Sequence, residues 1–90
     1  MNDQRYRVEV VPGAARDIDR LPEKIATACV EFIFTALADQ PHRVSKPLFR
    51  ELAGQRSARR GAYRIIIRID DDRRLVEVLR VSHRRHAYRT

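Results

Sequence analysis

Hydrophobic and polar residues alternate along the second half of the chain in a way that predicts antiparallel strands. Apolar residues occupy at least every second position of YRIIIRI (63–69) and LVEVLRV (75–81). The run DDDRR between these segments predicts a hairpin turn, because aspartate side chains bond the nearby backbone. QRSARR (55–60) predicts one further strand. These segments are expected to pair as one sheet.

The first half of the chain predicts one strand followed by two helices. YRVEVV (6–11) alternates as a strand does and ends at a proline. Apolar residues then recur at helical spacing in two segments, 14–21 and 22–39, separated by Pro22. QPHRVSKP (40–47) contains two prolines and predicts a connection. We therefore expect a single α+β domain over residues 1–90, with the N-terminal strand and two helices packed on one face of a small, antiparallel-dominated, twisted sheet.

The alternation also predicts which side chains share a face of the sheet. One row is expected beneath the helices: Tyr63, Ile65, Ile67 and Ile69, with Leu75, Leu79 and Val81 and a misfit Glu77. The other row is expected on the open face: Arg64, Ile66 and Arg68, with Val76, Val78 and Arg80. A hairpin centred on Asp72 would place Arg64 opposite Arg80. Two like charges directly across a ladder are destabilising unless an anion lies between them, so this pair predicts a phosphate site; two solvated arginines that lean apart are the alternative.

Charge supports a nucleic-acid partner. The formal net charge is +7, and residues 51–90 account for most of it with 11 basic and five acidic side chains. Every basic residue in that half is arginine, whose planar fork binds phosphate and stacks on bases. A concentrated basic field of this kind predicts RNA or DNA as the partner, although a merely solvated basic surface is the alternative.

Several classes of protein are not expected from this sequence. No apolar run approaches the roughly 20 residues that span a bilayer, and the first residues lack the apolar core of a secretory signal. A cytoplasmic protein that does not bind a membrane is therefore predicted. The single cysteine, Cys29, is expected to be a small buried hydrophobe, and His42 stands alone, so neither a metal site nor a small-molecule cofactor is predicted.

The candidate site lies where the start of segment 63–69 would meet the end of segment 75–81, since antiparallel neighbours run back on themselves. The residues expected to converge there are Arg59, Arg60, Arg64, Arg80, Arg84 and Arg85, together with His83, His86 and Tyr88. RNA cleavage without a metal needs a base for the 2′-hydroxyl, cations for the phosphorane and an acid for the leaving oxygen. Arginines supply the cations, the histidines and the tyrosine are candidates for proton transfer, and Tyr88 is alternatively a base-stacking residue.

Two stretches of the sequence resemble the RelE/ParE superfamily of bacterial toxins. They are RLPEK (20–24) and KPLFRELAGQRSARRGAYRIIIRIDDDRRLVEVLRVSHRRHAYR (46–89), and the resemblance is closest to RelE-type toxins of type II toxin–antitoxin systems. It implies a small α+β fold and metal-free cleavage of mRNA in the ribosomal A site through attack by the 2′-hydroxyl. It also implies a cognate antitoxin that blocks the toxin.

The resemblance assigns roles to particular residues. Arg64, directly after Tyr63, matches the arginine that stabilises the transition state, Arg84 matches a second arginine, and Tyr88 matches a tyrosine of the terminal segment at a shorter spacing than usual. A lysine pair, one member of which is the family's base, is replaced here by Gln55 and Ser57.

The missing lysines shift the expected roles to other residues. Their charge is expected to come from arginines, and the predicted RNA- or phosphate-binding residues are Arg56, Arg59, Arg60, Arg80 and Arg85. Proton abstraction is then expected of His83, His86 or Tyr88. Two other functions remain open: a ParE-like inhibitor of DNA gyrase, and a non-catalytic module that binds RNA on the ribosome.

Overall fold

The structure, a computed structural model, describes residues 5–83 and residue 85. Its strands are β1 (Arg7–Val10), β2 (Ser45–Pro47), β3 (Arg56–Arg60), β4 (Tyr63–Asp70) and β5 (Leu75–His83). Its helices are α1 (Pro12–Asp19) and α2 (Glu23–Phe32), with a π-helical continuation over Ile33–Leu37 and a 3-10 helix over Arg50–Leu52. None of the helices in this described part is long and apolar enough to cross a bilayer.

The five strands form one sheet in the order β1-β5-β4-β3-β2. β1 runs parallel to β5, and every other neighbouring pair is antiparallel. The predicted α+β class and antiparallel-dominated sheet are confirmed. The prediction that residues 40–47 only connect two elements is wrong, because Ser45–Pro47 pairs with β3 as an edge strand. Three residues ending in proline carry too little alternation to predict a strand, and proline is tolerated at a sheet edge.

Both helices pack on one face of the sheet and enclose the core. The fully buried core residues are Ala14, Cys29, Ile33 and Leu37 from the helical side and Ala58, Ile65, Ile67, Val76, Val78 and Val81 from the sheet. The alternating row of β4 therefore faces the helices as predicted, and the prediction that Cys29 is a buried hydrophobe is confirmed. Burial raises the pKa of the Cys29 thiol, which keeps it in its neutral form.

The register of the hairpin differs from the predicted one by one residue next to the turn, and by two residues beyond a bulge in β5. Ile66 lies opposite Arg80, whereas the next residue, Ile67, lies opposite Val78, so Leu79 has no place in the ladder. The predicted pairing of Arg64 with Arg80 is wrong, because Arg64 lies opposite Ser82.

The faces of β5 also differ from the prediction because of the bulge. Val76 and Val78 belong to the core beneath the helices, and the extra residue at the bulge lets Val81, three positions later, return to the same face. Glu77, expected to be a misfit in the apolar row, lies opposite Arg68, with 3.6 Å between Oε1 and Nη1. Since Arg68 belongs to the open-face row of β4, Glu77 is a polar residue on the polar side of the sheet.

Asp17 of α1 joins that helix to β5. Its Oδ2 accepts hydrogen bonds from the Val81 N–H and from Nε of Arg80, both at 2.9 Å. The Asp17 side chain is only 10% exposed, whereas that of Arg80 is 65% exposed. The carboxylate therefore satisfies a strand N–H beyond the end of β1.

Replacing Asp17 with alanine is expected to lower the free energy of unfolding by about 1–3 kcal/mol, because the part-buried Val81 N–H loses its acceptor. Replacing Arg80 with alanine removes only the exposed half of the same contact and is expected to cost at most about 1 kcal/mol. Urea denaturation of both variants measures the difference. Equal losses would mean that the ion pair, and not the backbone hydrogen bond, stabilises this junction.

Asp71 in the β4–β5 turn joins the turn to two distant segments. Its Oδ1 accepts a hydrogen bond from the Tyr6 hydroxyl at 2.5 Å and lies 2.8 Å from Nε2 of His42. The hydrogen bonds from Tyr6 and then from His42 hold the pKa of Asp71 below its usual value. The same bond to Asp71 raises the pKa of Tyr6. His42, which stood alone in the sequence, thus belongs to a surface hydrogen-bond network.

The contribution of this network to stability is expected to disappear at both extremes of pH. The pKa of Asp71 is lowered from 3.8 by folding, so its contribution is present above that pH and is lost as the pH falls through the folded pKa. The pKa of Tyr6 is raised from 10.0, so its contribution is present below that pH and is lost as the pH rises through the folded pKa. Melting temperatures of the wild type and Tyr6→Phe should differ at neutral pH and converge at both ends. A constant difference at all pH values would contradict this.

Candidate active site

A cleft of about 500 Å³ lies on the open face of the sheet, beside β2, β3 and the start of β4. Its charged lining consists of Arg43, Lys46, Arg59 and Arg64, and its other lining residues are Val44, Ser45, Pro47, Leu48 and Ser57. Every charged side chain in this described lining is a cation. The cleft is therefore suited to an anionic ligand.

Arg59 and Arg64 lie directly opposite each other in the ladder between β3 and β4. Their neighbours Ala58 and Ile65 face the core, so alternation places both arginines on the open face. Like charges in this position repel unless an anion lies between them. The sequence predicted such a pair for Arg64, but with Arg80 as its partner. The structure therefore places a pair of opposed arginines between β3 and β4, and not between β4 and β5 as predicted.

The two arginines differ in their exposure. Arg59 is exposed, whereas Arg64 is half-buried and its Nε atom is enclosed by protein. A cation in less polar surroundings interacts more strongly with a bound phosphate than one in bulk water. Arg64 is therefore suited to stabilise charge that develops during a reaction, and Arg59 to attract and hold the anion.

Ser57 contributes a buried hydroxyl to the same cleft. The residue is 8% exposed, and its Oγ has no hydrogen-bond partner among the residues that the structure describes. Leaving a buried hydroxyl unsatisfied costs about 1–3 kcal/mol. A ligand in the cleft could supply the missing partner. Ser57 lies opposite Lys46 on one side and Ile66 on the other.

Arg56, expected to bind RNA, contacts the protein itself. Its Nε donates to the Ser45 hydroxyl at 2.8 Å, and its Nη2 donates to the carbonyl oxygens of Ser45 at 3.0 Å and His42 at 3.3 Å. Arg56 lies two residues from the core residue Ala58, and so on the helical side of β3. The structure thus uses Arg56 to attach β2 and the preceding loop to the sheet.

Two further predicted RNA-binding residues also lie away from the cleft. Arg60 lines a separate cavity of about 270 Å³ on the helical side, together with Cys29 and Tyr63. Arg80 turns toward α1, where it pairs with Asp17. The predicted convergence of all the arginines at one edge is therefore wrong: Arg59 and Arg64 share the cleft, whereas Arg60 and Arg80 do not line it.

The candidates for proton transfer are only partly described. His83 is the cross-strand partner of Tyr63, and the two rings meet edge to face with centroids 5.3 Å apart. Tyr63 packs against the core, so His83 lies on the face opposite Arg64. The exposed Arg85 donates its N–H to Nδ1 of His83 at 3.3 Å. Arg84, His86 and Tyr88 lie outside the described residues, and their roles stay predictions.

Sequence reasoning missed Lys46 and Arg43 in the cleft. Both precede β3 by about ten residues or more, in a segment that was predicted to be a connection. Only the pairing of β2 with β3 places Lys46 opposite Ser57. In residues 5–83 and 85, no three His, Cys, Asp or Glu side chains are grouped closely enough to hold a metal ion.

Comparison with known proteins identifies the class to which this fold and cationic cleft belong. The family model of the ParE toxin of the type II toxin–antitoxin system parDE matches residues 8–88. Toxin RelE of Mycobacterium tuberculosis (strain ATCC 25618 / H37Rv) is 50% identical over 88 residues, which cover 98% of this chain and 91% of that protein. Toxin RelG of the same organism is 52% identical over 84 residues, covering 93% and 97%.

Solved structures show the same likeness in three dimensions. A chain of the toxin–antitoxin complex RelBE2 from Mycobacterium tuberculosis superposes with a TM-score of 0.86 at 52% identity, covering 88% of this chain and 98% of that one. The archaeal RelE–RelB complex from Pyrococcus horikoshii OT3 gives a TM-score of 0.70 at 22% identity over 91% and 98% of the two chains, which shows the shared fold. The protein is a small toxin-fold domain, and the chain belongs to the RelE/ParE superfamily of type II toxin–antitoxin toxins. The resemblance seen in the sequence is confirmed.

Proposed function

We propose that this toxin is a ribosome-dependent endoribonuclease and that the cleft on the open face holds the phosphate at which mRNA is cut. The observation that carries the proposal is the direct opposition of Arg59 and Arg64 in a cleft whose described charged lining is entirely basic. Two guanidinium groups that line the same cleft supply hydrogen-bond donors suited to the oxygens of a phosphate.

The proposed reaction is attack of a ribose 2′-hydroxyl on the adjacent phosphorus. The O2′–P bond forms as the P–O5′ bond breaks, which leaves a 2′,3′-cyclic phosphate on one fragment and a 5′-hydroxyl on the other. Negative charge grows on the non-bridging oxygens in the transition state. The half-buried Arg64 is the described residue best suited to stabilise that charge.

The terminal segment supplies the remaining proposed groups. Arg84 is assigned as a second cation at the phosphate, and Tyr88 as a residue that stacks on a base or transfers a proton, both by resemblance to RelE-type toxins. His83 and His86 stay candidates for proton transfer. For His83 this role requires a route around the end of β5, because its ring packs against Tyr63 on the other face.

Messenger RNA on the ribosome is the proposed substrate. Single-stranded RNA presents splayed bases and an accessible backbone, which an open cationic cleft can follow. The net charge of +6 in residues 51–90 favours such a polyanion and predicts binding that weakens as salt increases. Two relatives that are 50% and 52% identical to this chain are named Toxin RelE and Toxin RelG, and these names support a RelE-type activity.

A cognate antitoxin is the proposed protein partner. The RelBE2 and RelE–RelB structures are toxin–antitoxin complexes by name, and the first shares 52% of its residues with this chain. We infer that the antitoxin of this toxin places an acidic segment over the basic half of the domain. Such a segment would compete with RNA for the cationic cleft.

Inhibition of DNA gyrase is the second candidate function. The matching family model is described as the ParE toxin of parDE, and the fold is common to both groups. The cleft favours RNA cleavage over this alternative, because opposed arginines and a buried serine hydroxyl form a site for a small anionic group.

Translation of a defined mRNA in a purified system, followed by primer extension, tests the proposal. The wild-type toxin should produce a shortened cDNA only when the message is translated, and Arg64→Ala should leave most of the message intact over the same time. Blocked translation with an intact message would instead indicate a non-catalytic module that binds RNA on the ribosome. Inhibited supercoiling by gyrase with an intact message would indicate the second candidate.

A further inference from the structure

Lys46 differs chemically from every other charged residue described in the cleft. The sequence contains two lysines, Lys24 and Lys46, and Lys24 lines the separate cavity on the helical side. The remaining charged residues of the cleft are Arg43, Arg59 and Arg64. Arginine stays protonated in proteins, whereas a lysine amine can accept and release a proton during catalysis.

The pairing of β2 with β3 determines where Lys46 lies. Ser45, opposite the core residue Ala58, is buried, and its hydroxyl donates to the Pro41 carbonyl at 2.6 Å and accepts from Nε of Arg56 at 2.8 Å. These contacts hold the edge strand in register. Alternation then places the next residue, Lys46, on the open face opposite Ser57.

Two observations make this part of the cleft suited to an anionic ligand. The Oγ of Ser57, across the ladder from Lys46, is buried and has no hydrogen-bond partner within residues 5–83 and 85. The next residue of that face along β3, Arg59, is opposed by the like charge of Arg64. A sugar–phosphate group in the cleft would supply a partner for the Ser57 hydroxyl, and it would lie among Arg59, Arg64 and Lys46, which line the same cleft.

We propose that Lys46 is the catalytic residue that removes the proton from the 2′-hydroxyl of the RNA. The proposal rests on the endoribonuclease function proposed above. The neutral amine takes the proton as the O2′–P bond forms and becomes an ammonium ion, the P–O5′ bond breaks, and water protonates the departing O5′. Arg43, Arg59 and Arg64 are the other charged residues of the described cleft lining, and all three are cations.

Single-turnover cleavage of ribosome-bound mRNA by Lys46→Arg tests this role. The substitution keeps the positive charge but removes the group that exchanges a proton, and Lys46 is exposed, so the core is unaffected. We expect the rate to fall by about 10²–10⁴-fold, the usual effect of losing a general base. The affinity for the ribosome–mRNA complex and its dependence on salt should stay close to those of the wild type. Lys24→Arg is the matched control and should cleave normally.

Two further measurements separate proton transfer from a structural role. The wild-type rate should rise with pH along a limb that is absent in Lys46→Arg. In Lys46→Ala, added ethylamine should restore part of the rate, because a small amine can enter the space that the side chain vacates.

The possible outcomes are distinct. If the wild type cleaves and Lys46→Arg cleaves equally fast with the same pH profile, the role of Lys46 is wrong and the proposed function stands. If Lys46→Arg is slow only because it binds poorly, Lys46 positions the phosphate and is not the base. If the wild type leaves translated mRNA intact, both proposals are wrong.

Discussion

Arg64→Ala is expected to slow single-turnover cleavage of ribosome-bound mRNA by about 10²–10³-fold, the loss typical of removing one preorganised donor from a charged transition state. Arg64 is half-buried on the open face and lies opposite Arg59. Its charge therefore acts on the phosphorane in surroundings less polar than water. The rate at saturating toxin should carry most of the effect, because the charge that Arg64 stabilises develops mainly in the transition state.

Arg68→Ala is the matched control for this prediction. Arg68 lies on the same strand, four positions further and on the same open face, but it is exposed and pairs with Glu77. Its loss removes one positive charge without touching the cleft. Equal losses of activity in Arg64→Ala and Arg68→Ala would mean that only the overall charge matters, and would remove the support for a localised site.

Arg59→Ala separates binding from catalysis within the same pair. The exposed Arg59 is expected to bind the backbone, so its loss should weaken RNA binding and reduce the slope of log affinity against log salt by about one. The rate at saturation should change less than in Arg64→Ala. Competition binding at several salt concentrations measures the slope directly.

The fold could be predicted from the sequence wherever the pattern of apolar residues was long. The alternating residues of β4, from Tyr63 to Ile69, and the apolar stripe that runs along α2 to Leu37 form or flank the core, as the sequence predicts. The apolar pattern does not predict β2. This strand has three residues, one of them a proline, and its pairing with β3 is supported by the contacts of Ser45 with Arg56 and the Pro41 carbonyl.

Strict alternation along β5 predicts the wrong face for the first half of the strand, because the strand contains a bulge. Glu77 and Val81 are four positions apart and would share a face in a regular strand. One unpaired residue, Leu79, places them on opposite faces: Val81 is in the core and Glu77 pairs with Arg68. If Leu79 is omitted from the sequence, the alternation of Val78 and Val81 about Arg80 becomes regular. The local sequence carries no separate signal for such an insertion.

The sequence predicts some residues of the candidate site but not their partners, because the partners depend on how the strands pair. Tyr63-Arg64 and Arg59 were singled out from charge and resemblance, and the cleft contains both arginines. Their partners depend on register, which a shift of one residue changes completely. Lys46 depends on a strand that had no pattern of its own. The sequence therefore predicts the chemistry of a cationic phosphate site, and the pairing of strands selects the residues that form it.

Ile67→Ala is expected to lower the free energy of unfolding by about 2–5 kcal/mol, the usual cost of an isoleucine-to-alanine cavity in a core that relaxes little. Ile67 is completely buried in the middle of β4, beneath the helices and opposite Val78. A domain of this size has about 5–15 kcal/mol of total stability, so the variant should lose a large fraction of it. Its melting temperature should fall by more than about 8 °C.

Val30→Ala provides the control, because Val30 lies on α2 and is 38% exposed. Its loss is expected to change stability by no more than about 0.5 kcal/mol. Chemical denaturation of both variants should show a lower midpoint with an unchanged slope for Ile67→Ala, because the structure that unfolds is the same. The cleft should also be disturbed, because Ile67 lies opposite Arg56. Arg56 holds β2, and with it Lys46, against the sheet. An Ile67→Ala protein as stable as Val30→Ala would show that the sheet and helices do not enclose this core.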